Sequence, residues 1–174
     1  MQRFGAISGY AADDMKQRAM IAVGGSLLAI AVLLAQPALG GFDEGMAAYK
    51  AGDYVTVLPE LRAAAEGGHA RAQYALGTMY NEGEGVPPDR ALAAEWWHMA
   101  AKQNHAQAQF ALGVLYSSGA GVAKDNTAAH MWFSLAAAQG KKNAKRLLKV
   151  IVRQMTPADI AEAERRAEEW RVAD

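Results

Sequence analysis

Cysteine is absent from all 174 residues, which excludes disulfides, thiolate chemistry, cysteine-based zinc sites and lipoprotein-type acylation. Net charge is absent as well: 18 Lys and Arg stand against 18 Asp and Glu, so no global basic excess points to nucleic acid. Aromatic residues are scarce, at 8%. No stretch alternates apolar and polar residues in the manner of a half-buried strand. Catalytic signatures are missing too. There is no Gly-x-Ser-x-Gly elbow, no Gly-Lys-Ser/Thr to close a phosphate-binding loop and no His-x-x-x-His spacing for a metal. The four histidines, His69, His98, His105 and His130, read as solvated turn residues, and the expectation is a non-enzyme with no metal and no cofactor.

What the chain does have is repetition. Ala70–His105 and Ala106–Lys141 align without a gap and agree at 16 of 36 positions. The shared residues read Ala-x-Ala-Gln-aromatic-Ala-Leu-Gly-x-x-Tyr, then Gly-x-Gly-Val-x-x-Asp, then Ala-x-x-Trp-aromatic-x-x-Ala-Ala-x-Gln. A fixed period in this range signals stacked supersecondary units. In the first copy, Ala70–Asn81 is a helix with Ala72, Ala75, Leu76 and Met79 on one face. Gly77 inside that helix, and Gly113 in the next copy, predict close approach of a paired helix, since glycine there otherwise costs about 1 kcal/mol against alanine. Glu82–Pro88 is a glycine-containing loop that Pro87 and Pro88 end. Asp89 and Asp125 are suited to cap the second helix of each unit. That helix carries Ala93, Trp96, Trp97, Ala100 and Ala101, spaced to bury rings against small neighbours. Trp96, Trp132, Tyr80 and Tyr116 recur at the repeat period and read as core. Gly68, Asn104 and Gly140 close three successive units at the position that favours a left-handed residue.

Upstream, residues 41–69 read as a degenerate first repeat with helices over Phe42–Lys50 and Tyr54–Glu66, joined by Ala51-Gly52-Asp53. Downstream, residues 142–174 read as capping helices. Asn143–Met155 is amphipathic through Ala144, Leu147, Leu148, Ile151 and Met155, while Lys149 takes the place of the helix glycine. Thr156-Pro157-Ala158-Asp159 then starts a last helix. It buries Ile160, Ala163, Ala167 and Trp170 and turns a polar face outward, as the end of a solenoid requires.

The N-terminal residues 1–40 carry the plan of a signal peptide. Lys16 and Arg18 precede an uncharged run, Ala19–Ala35, and small residues at Ala38 and Gly40 follow. Translation from Met15 would leave Met-Lys-Gln-Arg as a short basic leader. The alternative is an uncleaved anchor over Ala19–Ala35, although this run is shorter than the roughly 20 apolar residues of a spanning helix. Both readings place the repeats outside the cytoplasm, periplasmic or secreted in the first case and membrane-anchored in the second.

Leu76-Gly77-x-x-Tyr80-x-x-Gly83-x-Gly85-Val86-x-x-Asp89, with Ala93-x-x-Trp96 and Ala100-Ala101 after it and the same set one unit on, resembles the Sel1-like repeat family, a relative of the tetratricopeptide family. The resemblance implies an all-α, right-handed α-solenoid of helix-turn-helix repeats closed by a C-terminal capping helix. It further implies a scaffold for protein–protein or protein–peptide contacts through a concave groove lined by the first helix of each unit. On that basis the groove residues are Arg71, Tyr74, Thr78 and Asn81, then Gln107, Phe110, Val114 and Ser117, each set sharing a face at helical spacing. Tyr74 and Phe110 are equally suited to packing between repeats. A second candidate surface is Lys141, Lys142, Lys145, Arg146, Lys149 and Arg153, six cations in thirteen residues without an acid. It reads either as a solvated helix face or as a contact for anionic lipid or polysaccharide.

Overall fold

The structure is a computed structural model that describes residues 42–173; the signal-peptide and anchor readings of residues 1–40, with the start at Met15, lie outside the described residues. Among the described residues, eight α-helices follow one another: α1 (Phe42–Lys50), α2 (Tyr54–Glu66), α3 (Ala70–Glu82), α4 (Arg90–Lys102), α5 (Ala106–Ser118), α6 (Asn126–Ala138), α7 (Lys142–Ile151) and α8 (Pro157–Ala173), with one 3-10 turn, Val152–Gln154, before the last. No strand occurs among the described residues.

Each unit pairs its two helices through a missing side chain. A β-carbon placed on Gly77 of α3 would lie 2.5 Å from Cδ1 of Trp97 on α4, and one on Gly113 of α5 would lie 2.5 Å from Cδ1 of Phe133 on α6. The glycines thus let the second helix press a ring against the backbone of the first. Asp89 and Asp125 cap as expected, accepting from the backbone N–H groups of Leu92 and Ala128, and Asp53 does the same for Thr56. The joints are left-handed at Gly68, Asn104 and Gly140, with φ of 89°, 58° and 87°.

Successive units are then locked by two contacts. The first is a glutamine pair. Gln103 Nε2 donates to the carbonyl of Gly68 and to Oε1 of Gln73, and Gln139 Nε2 donates to Asn104 Oδ1 and Oε1 of Gln109. Gln73 and Gln109 are buried, and their own amides donate to Ala65 O and Asn104 Oδ1, so the polar groups brought inside are matched as burial demands. In the second contact, the glycine loop of one unit rests on the start of the preceding unit's second helix. A β-carbon on Gly85 would collide with Cβ of Tyr54, and one on Gly121 with Cβ of Arg90.

The core falls into three clusters along the stack. Val57, Leu61, Leu76 and Met79 fill the first joint, Leu112, Leu115 and Trp132 the next, and Phe133, Ala144 and Ile151 the last. Tyr80 and Tyr116, expected in this core, are only half-buried. The Tyr80 hydroxyl accepts from Arg62 Nη2 and the Tyr116 hydroxyl meets His98 Nε2, because a phenol keeps its polar end where a partner exists. At the C-terminal end the repeat pattern breaks. α7 packs on α6, but α8 does not form a hairpin with α7; it too lies on α6. Ala163 and Ala167 are buried there, whereas Ile160 and Trp170 are half-buried. Thr156 Oγ1 and Asp159 Oδ2 cap α8 reciprocally.

Candidate functional site

The first helices of the units, α3, α5 and α7, flank an open cleft of about 630 Å³. Six of the eight expected groove residues line it: Tyr74, Thr78 and Asn81 from α3, and Gln107, Phe110 and Val114 from α5. Arg71 and Ser117 do not. Ser117 instead donates to the carbonyl of Val114 on its own helix, and Arg71 is exposed.

The floor is rigid and aromatic. Trp97 of α4 underlies it, donating from Nε1 to the carbonyl of Tyr74 at 3.1 Å. Thr78 Oγ1 donates to the same carbonyl at 3.0 Å. The Tyr74 ring is stacked on Trp97 and, with centroids 4.9 Å apart, on His105. Phe110 leans on Phe133 at 5.8 Å. The two readings of Tyr74 and Phe110 therefore hold together: each is half-buried against a second-helix aromatic and still presents a face to the cleft. Their rotamers are fixed before any ligand arrives.

The third wall was missing from the sequence-based groove. It is formed by Lys141, Lys142 and Asn143 at the start of α7. The signal was available: adding 36 to Gln107 gives Asn143, so the repeat phase survives into α7 even though the motif does not. The basic segment is thereby joined to the groove at its first two residues. Lys142, Lys145, Arg146, Lys149 and Arg153 are exposed, and Lys141 is half-buried. Among the described residues none of these six has a carboxylate within ion-pairing reach. The ion pairs of α8 are internal to it, joining Arg165 and Arg166 to Glu162, Arg165 to Glu169 and Arg171 to Glu168.

The histidines correct the expectation of solvated turn residues; only His69 is an exposed turn residue. His98 lies within α4, edge-on to Trp132 and 3.0 Å from the Tyr116 hydroxyl. Burial, with Lys102 nearby, pushes its pKa down to about 4. His105 opens α5 and accepts the N–H of Ala108 at Nδ1. Its pKa is lowered by burial, then by the charges of Lys141 and Arg71. His130 is buried in α6, and burial lowers its pKa against the pull of Glu164. Ser134 Oγ lies 3.4 Å from His130 Nδ1, but neither residue lines the cleft. Among the described residues no group of three or more His, Asp or Glu could hold a metal ion, and no helix is long and apolar enough to cross a membrane.

The Sel1 repeat family matches residues 70–105 and again 106–141. Among solved structures, the chain is similar to a protective antigen present in uropathogenic Escherichia coli strains and displaying an SLR fold. Sequence identity is 27% and the TM-score 0.69, over 72% of this chain and 28% of that one. It is also similar to a Sel1 repeat protein from Oxalobacter formigenes, with 29% identity and a TM-score of 0.61, over 73% of this chain and 54% of that one. The chain thus spans less than two thirds of either structure's length. No curated protein matches it. Sel1 repeats generally serve as protein-interaction scaffolds and are generally non-catalytic. With two Sel1 repeats in tandem and an all-helical solenoid of the SLR type around them, the chain is a Sel1-like repeat protein.

Proposed function

We propose that this chain is an exported, non-catalytic scaffold that binds a segment of another protein in the cleft between α3, α5 and α7. The observation that carries this reading is the preformed aromatic floor: Tyr74, Trp97 and Phe110 are held by their own packing and hydrogen bonds and still face open space. Rigid side chains of this kind lose little freedom when a partner settles on them. Export rests on the uncharged run Ala19–Ala35 behind Lys16 and Arg18. Site-specific photocrosslinking tests the cleft. A benzophenone amino acid at Val114, which lines it, should yield a discrete adduct with a partner in cells. The same probe at Val55, 88% exposed on α2, should not. Identical adducts from both positions, or none from Val114, would sink the cleft reading.

A second reading has its own observation. The cations of α7 recur at Lys142, Lys145 or Arg146 and Lys149, with Arg153 in the 3-10 turn that follows and Ala144, Leu147, Leu148 and Ile151 on the packed side. Such a ridge suits an anionic lipid or polysaccharide surface. Binding of that kind weakens steeply as salt rises, since exposed charges are screened within about 10 Å at 0.1 M; insensitivity to salt would exclude it.

A further inference from the structure

The charges around the cleft are unevenly placed. Lys141 and Lys142 stand with Gln107 at the end formed by the first turns of α5 and α7, and among the described residues Glu82 is the one carboxylate that lines the cleft. Glu82 belongs to the last turn of α3 and already accepts from Asn81 Nδ2 at 2.8 Å. Beyond the lysines the same phase continues on α7. Arg146 occupies there the position that Tyr74 and Phe110 hold on α3 and α5, each 36 residues from the next. Arg146 is exposed but does not line the cleft, so the cations that face it are Lys141 and Lys142. Lys141, Lys142 and Arg146 have no carboxylate partner among the described residues, so their charge is unspent on the protein's own fold. His105, stacked on Tyr74, has its proton affinity lowered first by burial and then by the charges of Lys141 and Arg71.

We infer that the segment taken by the cleft is an acidic peptide, with an aliphatic or aromatic side chain on the floor between Tyr74 and Phe110 and carboxylates against Lys141 and Lys142. This rests on the cleft reading above and adds the chemistry of the partner. The cations by themselves would suit any anion. The apolar floor beside them favours a chain that alternates carboxylates with large apolar groups, which a peptide does at the spacing of neighbouring residues and a polysaccharide does not. A lipid headgroup would meet the outward ridge of α7 and leave the aromatic floor empty. Complementary charge of this kind contributes mainly to selection of the partner and to the rate of encounter.

Selection of random dodecapeptides displayed on phage against the full chain tests the inference, with Val114→Glu and Lys141→Glu/Lys142→Glu panned in parallel. Circular dichroism of each variant confirms that it is folded. The exposed Gln107→Trp, which fills the mouth of the cleft, replaces Val114→Glu should that variant unfold. The expected pool is retained by the parent, lost on Val114→Glu, and rich in Asp and Glu beside Leu, Ile, Phe or Trp. A synthetic peptide from it should bind the double lysine variant about tenfold more weakly, as two reversed charge contacts imply. A cleft-dependent pool with no acidic enrichment would overturn the acidic inference and leave the cleft reading intact. No cleft-dependent pool at all would overturn both. Acidic peptides indifferent to Val114→Glu, or lysine-dependent binding to phosphatidylglycerol vesicles that such peptides do not displace, would assign the cations to a separate surface and overturn the inference.

Discussion

The side-chain amide of Gln103 donates to Oε1 of Gln73 at 2.9 Å across the joint between two units, and Gln139 and Gln109 make the same contact at 2.8 Å one unit later. Because Gln109 is fully buried, replacing it with the similarly shaped Leu leaves Gln139 and Asn104 short of a partner. Gln109→Leu should therefore destabilise the chain by about 1–3 kcal/mol despite the gain in hydrophobicity. Urea denaturation followed by circular dichroism reads the difference; an unchanged midpoint would show that the glutamine pair contributes nothing to the joint.

Gly77→Ala inverts a general rule. In an exposed helix this change stabilises by about 1 kcal/mol, but here the new methyl group meets the ring of Trp97. The outcome should be destabilisation by about 1–3 kcal/mol, the range for inserting a methylene into a packed core. Gly113→Ala should behave alike against Phe133. A raised melting temperature for either variant would contradict the close approach of the two helices.

Trp132 is 2% exposed and meets both His98 and Trp170, linking α4, α6 and α8. Trp132→Ala should cost about 3–5 kcal/mol and free α8 first, since Trp170 loses the ring it rests on. Hydrogen exchange resolved by segment distinguishes the two effects: protection in α8 should fall more than in α3.

His98 makes stability depend on pH. Its ordinary pKa of 6.5 falls to about 4 in the folded chain, chiefly through burial. Above about pH 6.5 both states are neutral at this residue and it has no effect. As pH falls from there toward 4, the unfolded chain takes up a proton that the folded chain does not, so stability declines. A gap of this size corresponds to a loss on the order of 3 kcal/mol by about pH 4. His105 and His130, also lowered by burial, push the same way. His98→Gln should flatten the slope of unfolding free energy against pH over that window without abolishing it. An unaltered slope would show that His98 is not the group responsible.

The helices and their pairing were legible in the sequence because the repeated positions are those that caps, turns and close packing demand. Asp89, Gly77 and Asn104 each have one structural job that their residue type betrays. The groove was legible on α3 and α5, where the motif holds, and illegible on α7, where only the phase survives and Lys141 and Lys142 looked like a separate basic tract. His98 and His130 were misread because a histidine carries no mark of burial: the rings that enclose His98, Tyr116 and Trp132, lie 18 and 34 residues away and meet it only when units stack. The glutamines were visible as repeated letters, but a polar residue at a fixed period does not announce whether it faces water or a matching amide. The turn of α8 onto α6 depends on a packing choice between two apolar faces, which periodicity alone does not decide.

That turn of α8 also bears on how such a chain can change length over generations. A further unit would need to dock its first helix against a properly paired second helix, and among the described residues α7 has none, because α8 lies on α6. A whole 36-residue segment copied ahead of residue 142 would find on both sides the paired helices and joints that the existing units offer one another. Growth of that kind would move the lysine-bearing close of the cleft outward with each added unit, always as the last wall.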